Sequence, residues 1–367
     1  MRVLSGARFL LLLFYVGRTH RKAILVQNIF MLSIKKVGCR LIVLLFAVAC
    51  ALFAMTGSTT VCDHEIYLGG FPAGFVLETS TVEVVGMCEV MTDSGLKCPA
   101  RESGLKTGDI VTDVNGNAVD SSESLTQALE GLKLAIITVE RDSERLTFEV
   151  TPVKDVTSGK TRIGVLVRDS LSGVGTVTYI DKTAEKFASL GHPVTDSSGK
   201  LTKINGGTLY GCVIYDVKRG VRGTPGELKG AFESGKPIGE AALNSKCGVF
   251  GNLHREYNTN GLTRIELGGI DEVTPGKAKI YSTVSANKTK SYDISIVKVD
   301  KTNRENKNFV IKVDDKDLID RTGGIVQGMS GSPIVQNGKL VGAVTHVFIN
   351  DATRGYGIAI ENMLNAY

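Results

Sequence analysis

The sequence predicts a mostly β chain with two globular units behind an apolar, basic leader. Three observations predict it. Between residues 155 and 367 short stretches such as "GTVTYI", "AKIYSTVS", "YDISIVKVD" and "NFVIKV" alternate apolar and polar residues. Turn residues punctuate them about every 8–15 positions, the pattern of an all-β sandwich or barrel pair. Helix signals there are few, the best being "AEKFASL" and "GIAIENMLNAY". Between these strands and the leader, a shorter unit mixes strand pairs with two helical segments.

The leader occupies residues 1–57. Its first 40 residues hold eight Lys/Arg and no acid, which leaves 35 basic against 38 acidic residues in the rest of the chain. The basic balance therefore belongs to the leader, and nucleic acid is not an expected partner. Lys35, Lys36 and Arg40 precede the apolar run Leu41–Met55. That run suits a long signal-peptide core or a short spanning helix over about residues 31–56, with its positive flank cytoplasmic and the remainder exported. Met31, followed by "LSIKKVGCR", is the expected natural start. Residues 58–66 read as a linker.

Cysteines stand at 39, 50, 62, 88, 98, 212 and 247, with no C-x-x-C pair. That spacing argues against a zinc ribbon or a disulfide scaffold, so no metal or cofactor is expected.

The first unit, residues 67–154, centres on "ARESGLKTGDIVTDVNGNAVDSSESLTQALEGL". Ala100–Leu105 predicts a short helix. "DIVTDVNG" predicts a strand turning at Asn115-Gly116. Ser121–Leu132 predicts an amphipathic helix burying Leu125, Ala128, Leu129 and Leu132, capped by Ser121 or Ser122. A strand pair turning at Asp142-Ser143 closes the unit. With its "SGLKTGDIVTDVNG" core the unit resembles a PDZ domain of the bacterial protease-associated type. The resemblance implies that "GGFPAGFVLET" supplies the carboxylate-binding loop and first pocket strand, with Gly70, Gly74, Phe75 and Val76 receiving a peptide by β-augmentation.

The second unit, residues 155–367, carries the chemistry. "GMSGSP" places Ser330 between Gly328 and Gly331. A nucleophilic serine needs an exposed Oγ, a base, and backbone N–H groups facing the oxyanion. Glycines permit the sharp loop that turns the N–H groups of Gly328 and Ser330 inward. Ser332 lacks a glycine two places before it, which disfavours it as nucleophile. The pattern resembles the G-x-S-G-x-P motif of trypsin-like double-barrel peptidases and differs from the G-x-S-x-G elbow. Chain order then favours His192, in "LGHPVTD", as base, ahead of His346 and then His254; His64 reads as linker. The orienting acid stays open among Asp314, Asp315, Asp317 and Asp320, with Asp196 and Asp351 as further options.

The stretch "GGIVQGMSGSPIVQNGKLVGAVTHVFINDATRGYGIAIENML" resembles the C-terminal hallmark of the stage IV sporulation protein B peptidases. The order anchor, PDZ unit, "LGHPVTD", "TGGIVQGMSGSP" is similar to theirs from Lys35 onward. The resemblance implies an exported, membrane-anchored or secreted serine endopeptidase without cofactor, acting between the two membranes of a developing spore. It implies His192 and Ser330 as catalytic residues, with Asp315 as the best-fitting acid. It also implies self-cleavage, followed by cleavage of a membrane-bound inhibitor (sporulation protein FA) that releases an intramembrane protease and activates a late sigma factor. Two rival readings are a membrane-tethered PDZ protein with an inactive peptidase-like domain and an envelope stress protease of the HtrA type, in which the PDZ unit follows the serine domain.

Overall fold

Two strands, β1 (Pro72–Met87) and β5 (Val165–Asp181), are each long enough to serve two sheets, and they organise the first half of the chain. The computed structural model describes residues 64–196, 199–286 and 288–367. The leader and most of the linker lie outside the described residues. Among those described, no helix is long and apolar enough to cross a membrane.

Three strands, β2 (Ile110–Val114), β3 (Ala135–Arg141) and β4 (Glu144–Val150), extend the sheet from β1 in that order. Only the second half of β1 belongs there, with Val82 opposite Val111. The beginning of β5 lies on its other side, with Val165 opposite Met87 and Arg168 opposite Glu83. The unit's turns are as the sequence predicts. Asn115-Gly116 and Asp142-Ser143 both take positive φ at the two central positions, the requirement of a type I′ turn.

The helix α1 (Ser122–Leu129) is capped by Ser121, whose hydroxyl accepts from the Ser124 N–H while the Ser124 hydroxyl accepts from the Ser121 N–H. It buries Leu125 and Leu129 against Val82, Val111 and Ile137. The "GLKTGD" segment is fixed by Asp109, which is fully buried and held by Arg141 at 2.6 and 2.7 Å. A bidentate guanidinium is what makes a buried carboxylate tolerable.

Two closed rings take up most of the other strands, β1 and β5 also serving the first of them. In the first, β1 and β5 join β6 (Lys186–Ser189), β7 (Ile204–Lys218), β8 (Glu227–Ser245) and β9 (Gly248–Leu253) in the order β1-β5-β6-β9-β8-β7, closing on β1. Phe75, Leu77, Ile180, Phe187 and Leu209 fill its interior. The second ring comprises β10 (Gly276–Ser282), β11 (Lys290–Val299), β12 (Phe309–Val313), β13 (Pro333–Gln336), β14 (Lys339–Phe348) and β15 (Asp351–Ala359). Its order is β14-β13-β10-β11-β12-β15, closing on β14, around Ile280, Ile294, Phe309, Ile311 and Ile334. Each such side chain contributes about 1.5–3 kcal/mol on burial, and closure removes the unpaired edges of an open sheet.

Three expectations need revising. "AEKFASL" is not helical: Lys186–Ser189 is strand β6, because the ladders of β5 and β9 claim both its edges and Phe187 fills the barrel. The PDZ-like unit does not span 67–154 as a separate block. Residues up to Thr79 belong to the first barrel, and the unit takes its last strand from Val165 onward, so it is an insertion between the first half of β1 and the second half of β5. Gly70, Gly74, Phe75 and Val76 form no peptide-binding loop. Val76 is paired with Ser172 on one side and Thr208 on the other. Phe75 is in the barrel core, and Gly74 lies under the Phe232 ring. Both edges of this stretch are already hydrogen-bonded, so no ligand strand can add there.

Candidate active site

The loop bearing Ser330 is held from four directions. It begins where α2 (Lys316–Thr322) ends at Gly323, a C-cap with φ 81°. Ile325 N–H donates to Ala352 and Gln327 N–H to Gly226, at 2.7 and 2.8 Å. From the first barrel the Thr176 hydroxyl donates to the Gly328 carbonyl, and the Thr178 hydroxyl to the Gly331 carbonyl, both at 2.8 Å. From the second, Gly331 N–H donates to Val344 at 2.8 Å. Gly328 and Gly331 both have φ 94°, a conformation that glycine alone adopts without strain. Met329 and Ser332 point inward and are fully buried, Ser332 donating to Ser282. Between Met329 and Ser332, only Ser330 lines the cleft.

Clamped in this way, the loop leaves the N–H groups of Gly328 and Ser330 without an acceptor among the described residues, although the neighbouring N–H groups of Met329, Gly331 and Ser332 all have one. Two orphan donors flanking one hydroxyl are the arrangement an oxyanion requires. The Ser330 hydroxyl itself donates to the Thr345 carbonyl at 2.8 Å.

His192 reaches the same cleft from the first barrel. After β6, Leu190 and Gly191 take φ 65° and 67°, turning the chain sharply toward the second barrel. Buried Asn244 then fixes the segment, accepting from Val194 N–H and donating to the Val194 and Thr202 carbonyls. The His192 Nδ1 lies 2.8 Å from the Pro193 carbonyl. A carbonyl can only accept, so Nδ1 carries the proton and Nε2 is left as the basic nitrogen. Burial depresses the His192 pKa below its ordinary 6.5, and the Pro193 carbonyl partly opposes this.

His346, on β14, lies with its ring centroid 4.8 Å from that of His192. Its Nδ1 is buried without a hydrogen-bond partner. Burial, then His192, then Lys307, push its pKa down to about 4. Both rings are therefore neutral at pH 7. His192, His346, Gly328, Ser330 and Thr345 line one cleft of about 650 Å³ between the barrels.

The other expected residues lie elsewhere. Asp315, the acid implied by resemblance, is the N-cap of α2: its carboxylate accepts from Leu318 N–H at 3.0 Å and from Asp293 N–H at 3.4 Å. Asp314 binds Ser295 and Lys312, and Asp317 pairs with Arg321. Asp351 accepts from Thr353, and Asp196 from Lys200 N–H. None of these carboxylates accepts from the His192 ring. Asp315 stands at the start of α2 with its carboxylate turned to backbone N–H groups there, and it is not among the residues that line the cleft with His192. His254 is near Glu240 and His64 is bonded to Asp181, both outside the cleft lining. Thr176, Thr178 and Asn244 were not anticipated, since no local pattern marks them. Among the described residues, no group of His, Cys, Asp and Glu is placed to hold a metal.

The pH dependence follows from these two imidazoles. A base with a depressed pKa stays neutral as pH falls through 6.5 and is lost only below it. If His192 is the base, the acid limb of kcat/KM is expected below pH 6.5, and a limb at or above 6.5 would show that it is not. For stability, His346 in the unfolded chain binds a proton near pH 6.5 and in the fold only near 4. Its contribution is complete above pH 6.5 and falls away between 6.5 and about 4. The loss is about 1–2 kcal/mol after solvent screening, readable in denaturation midpoints of the wild type and His346→Phe across that range.

A serine loop clamped between two closed β-barrels, with a histidine delivered from the first, defines a double-barrel serine peptidase into which a PDZ-like unit is inserted. Comparison with known proteins agrees. The SpoIVB peptidase S55 family matches residues 159–364 and the PDZ domain family matches residues 90–151. The chain belongs to the SpoIVB peptidase S55 family and is a serine peptidase. No curated protein matches it. Solved structures similar to parts of the chain include the PDZ domain of the SdrC-like protein from Listeria monocytogenes, at 22% identity over 24% of this chain and 90% of that one, with a TM-score of 0.20. The Rv3671c protease from M. tuberculosis in its active form is 14% identical over 53% and 72%, TM-score 0.33. The HtrA-type protease AlgW with a decapeptide is 13% identical over 56% and 52%, TM-score 0.32.

Proposed function

We propose that this peptidase is an exported endopeptidase of sporulation signalling in which Ser330 is the nucleophile, His192 the general base, and the N–H groups of Gly328 and Ser330 the oxyanion hole. The carrying observation is the pair of N–H groups without acceptors around Ser330, in a cleft that His192 also lines. Ser330 rotates away from the Thr345 carbonyl, gives its proton to Nε2 of His192 and attacks the substrate carbonyl. The oxyanion is then held by the two N–H groups, each worth on the order of 10²–10³ in rate. His192 returns the proton to the leaving amine. The Pro193 carbonyl takes the orienting role that an acid has in a full triad. Asp315 instead fixes the start of the helix that leads into the nucleophile loop.

The family supports the wider reading. The chain acts on itself and then on a membrane-bound inhibitor similar to sporulation protein FA, and so releases an intramembrane protease. It is held at or beyond the membrane by residues 31–56. Mass spectrometry of the full chain incubated alone tests self-cleavage. A fluorophosphonate probe tests the nucleophile: peptide mapping is expected to place the adduct on Ser330. An adduct on Ser332, or none in a folded protein, would refute the assignment.

A further inference from the structure

Strand β5 runs without a break from the PDZ-like unit into the cleft. One of its edges is paired throughout with β1 and with Ile66–Leu68. The other is paired with β6 only from Val177 onward. At Thr176 that second edge meets the nucleophile loop, with Thr176 N–H donating to Ser330 and Leu190 N–H donating to Thr176. From Gly175 back to Val165 no strand covers it among the described residues.

Main-chain groups alternate along a strand, so Val174, Ser172 and Ser170 face the same open edge as Thr176. The register with β1 holds unbroken from Thr176 to Ser170, which keeps that alternation valid. Ser172 and Val174 line the cleft with Ser330. Further along, Asp169 accepts from the N–H of Ser122 at the start of α1, and Leu166 is 52% exposed. A bare edge of this length is a template for another extended chain, and proteins ordinarily blunt such edges with proline or cover them. No proline lies between Val165 and Gly175.

We infer that this edge of β5 is an extended docking track for the substrate polypeptide, leading from the scissile bond to the PDZ-like unit by β-augmentation. Its continuity with the cleft identifies the occupant. A chain paired at Ser172 and Val174 passes Ser170 and, beyond the register shift between Ser170 and Arg168, reaches Arg168 and Leu166. From Val174 to Val165 are nine steps, a reach of about 30 Å at roughly 3.3 Å per residue. Substrates therefore need a segment of about nine residues on one side of the cleavage point to use the whole track. The inference deepens the peptidase assignment and rests on it for direction only.

Two measurements on the full chain test it. In the first, mass spectrometry identifies a bond cut in casein, and quenched peptides around that bond are extended stepwise on either end. Efficiency is expected to rise about tenfold, through KM, as the extension on one end passes about nine residues. Ser170→Pro, which removes one outward N–H, is expected to flatten that rise relative to probe labelling of Ser330. In the second, amide exchange on the Ser330→Ala protein with an excess of casein should show new protection at Ser170, Ser172 and Val174. Turnover with no length dependence and no protection overturns the track while leaving the peptidase intact. Protection without labelling or cleavage supports the track and sinks the peptidase assignment.

Discussion

Ser330→Ala is expected to lower kcat/KM by about 10⁴-fold or more, His192→Ala by a similar factor, and the double variant by no more than either alone. In this site the proton acceptor we assign is His192 Nε2, because Nδ1 of that ring is turned to the Pro193 carbonyl and the neighbouring carbonyls of Thr345 and Pro193 are not bases. Removing either member leaves the other without its task, so the losses do not add. What survives in each variant is binding and the two N–H groups of the oxyanion hole. The fold should tolerate Ser330→Ala, since the hydroxyl makes one hydrogen bond, to Thr345, worth about 0.5–1.5 kcal/mol. Kinetics on a casein-derived peptide, with thermal midpoints measured alongside, check this. Losses that multiply in the double variant would mean that His192 does not act on Ser330.

His346→Phe separates the two imidazoles. If the base were His346, that substitution would cost as much as His192→Ala. With His192 as base it should change packing against the neighbouring ring but spare most of the turnover.

Much of this site was legible because its signals are local. Gly328 and Gly331 are needed where φ is 94°, and a sequence shows glycines directly. Asn115-Gly116 and Asp142-Ser143 announced their turns through turn-forming residue types, and Ser121 announced its cap. What failed depended on partners distant in sequence. The stretch Pro72–Thr79 resembles the first pocket strand of a PDZ domain, but β5 and β7 occupy both its edges, and nothing in its own residues records that. Lys186–Ser189 carries too few residues for its period to distinguish strand from helix, and the ladder decides. Asp315 was chosen for its place before the glycine pair. In the fold that place is the start of a helix, where a carboxylate is drawn to the backbone N–H groups. Thr176, Thr178 and Asn244 act through backbone groups of segments 42 to 153 residues away, and their sequence neighbourhoods carry no mark of it.

The second large effect is expected at Gly331. A Cβ there would lie 2.1 Å from the Thr176 carbonyl oxygen and 2.6 Å from the Leu190 nitrogen. Both obstacles are backbone, and they belong to the segments that carry the nucleophile clamp and the approach to His192. Neither can yield without moving Ser330 relative to His192, and displacement of about 1 Å in a catalytic pair costs on the order of 10²-fold. Gly331→Ala is therefore expected to slow fluorophosphonate labelling by at least about 10²-fold and to lower the thermal midpoint. Gly338→Ala provides the contrast. Its φ of 80° is as unfavourable for alanine as the 94° of Gly331, but a Cβ at Gly338 meets nothing within 4 Å. That substitution should cost only the left-handed backbone strain, about 1–2 kcal/mol, and leave labelling near wild type. If the two variants behave alike, strain rather than close approach governs the loop. The tight contact between barrels at Gly331 would then not be what holds Ser330 in register with His192.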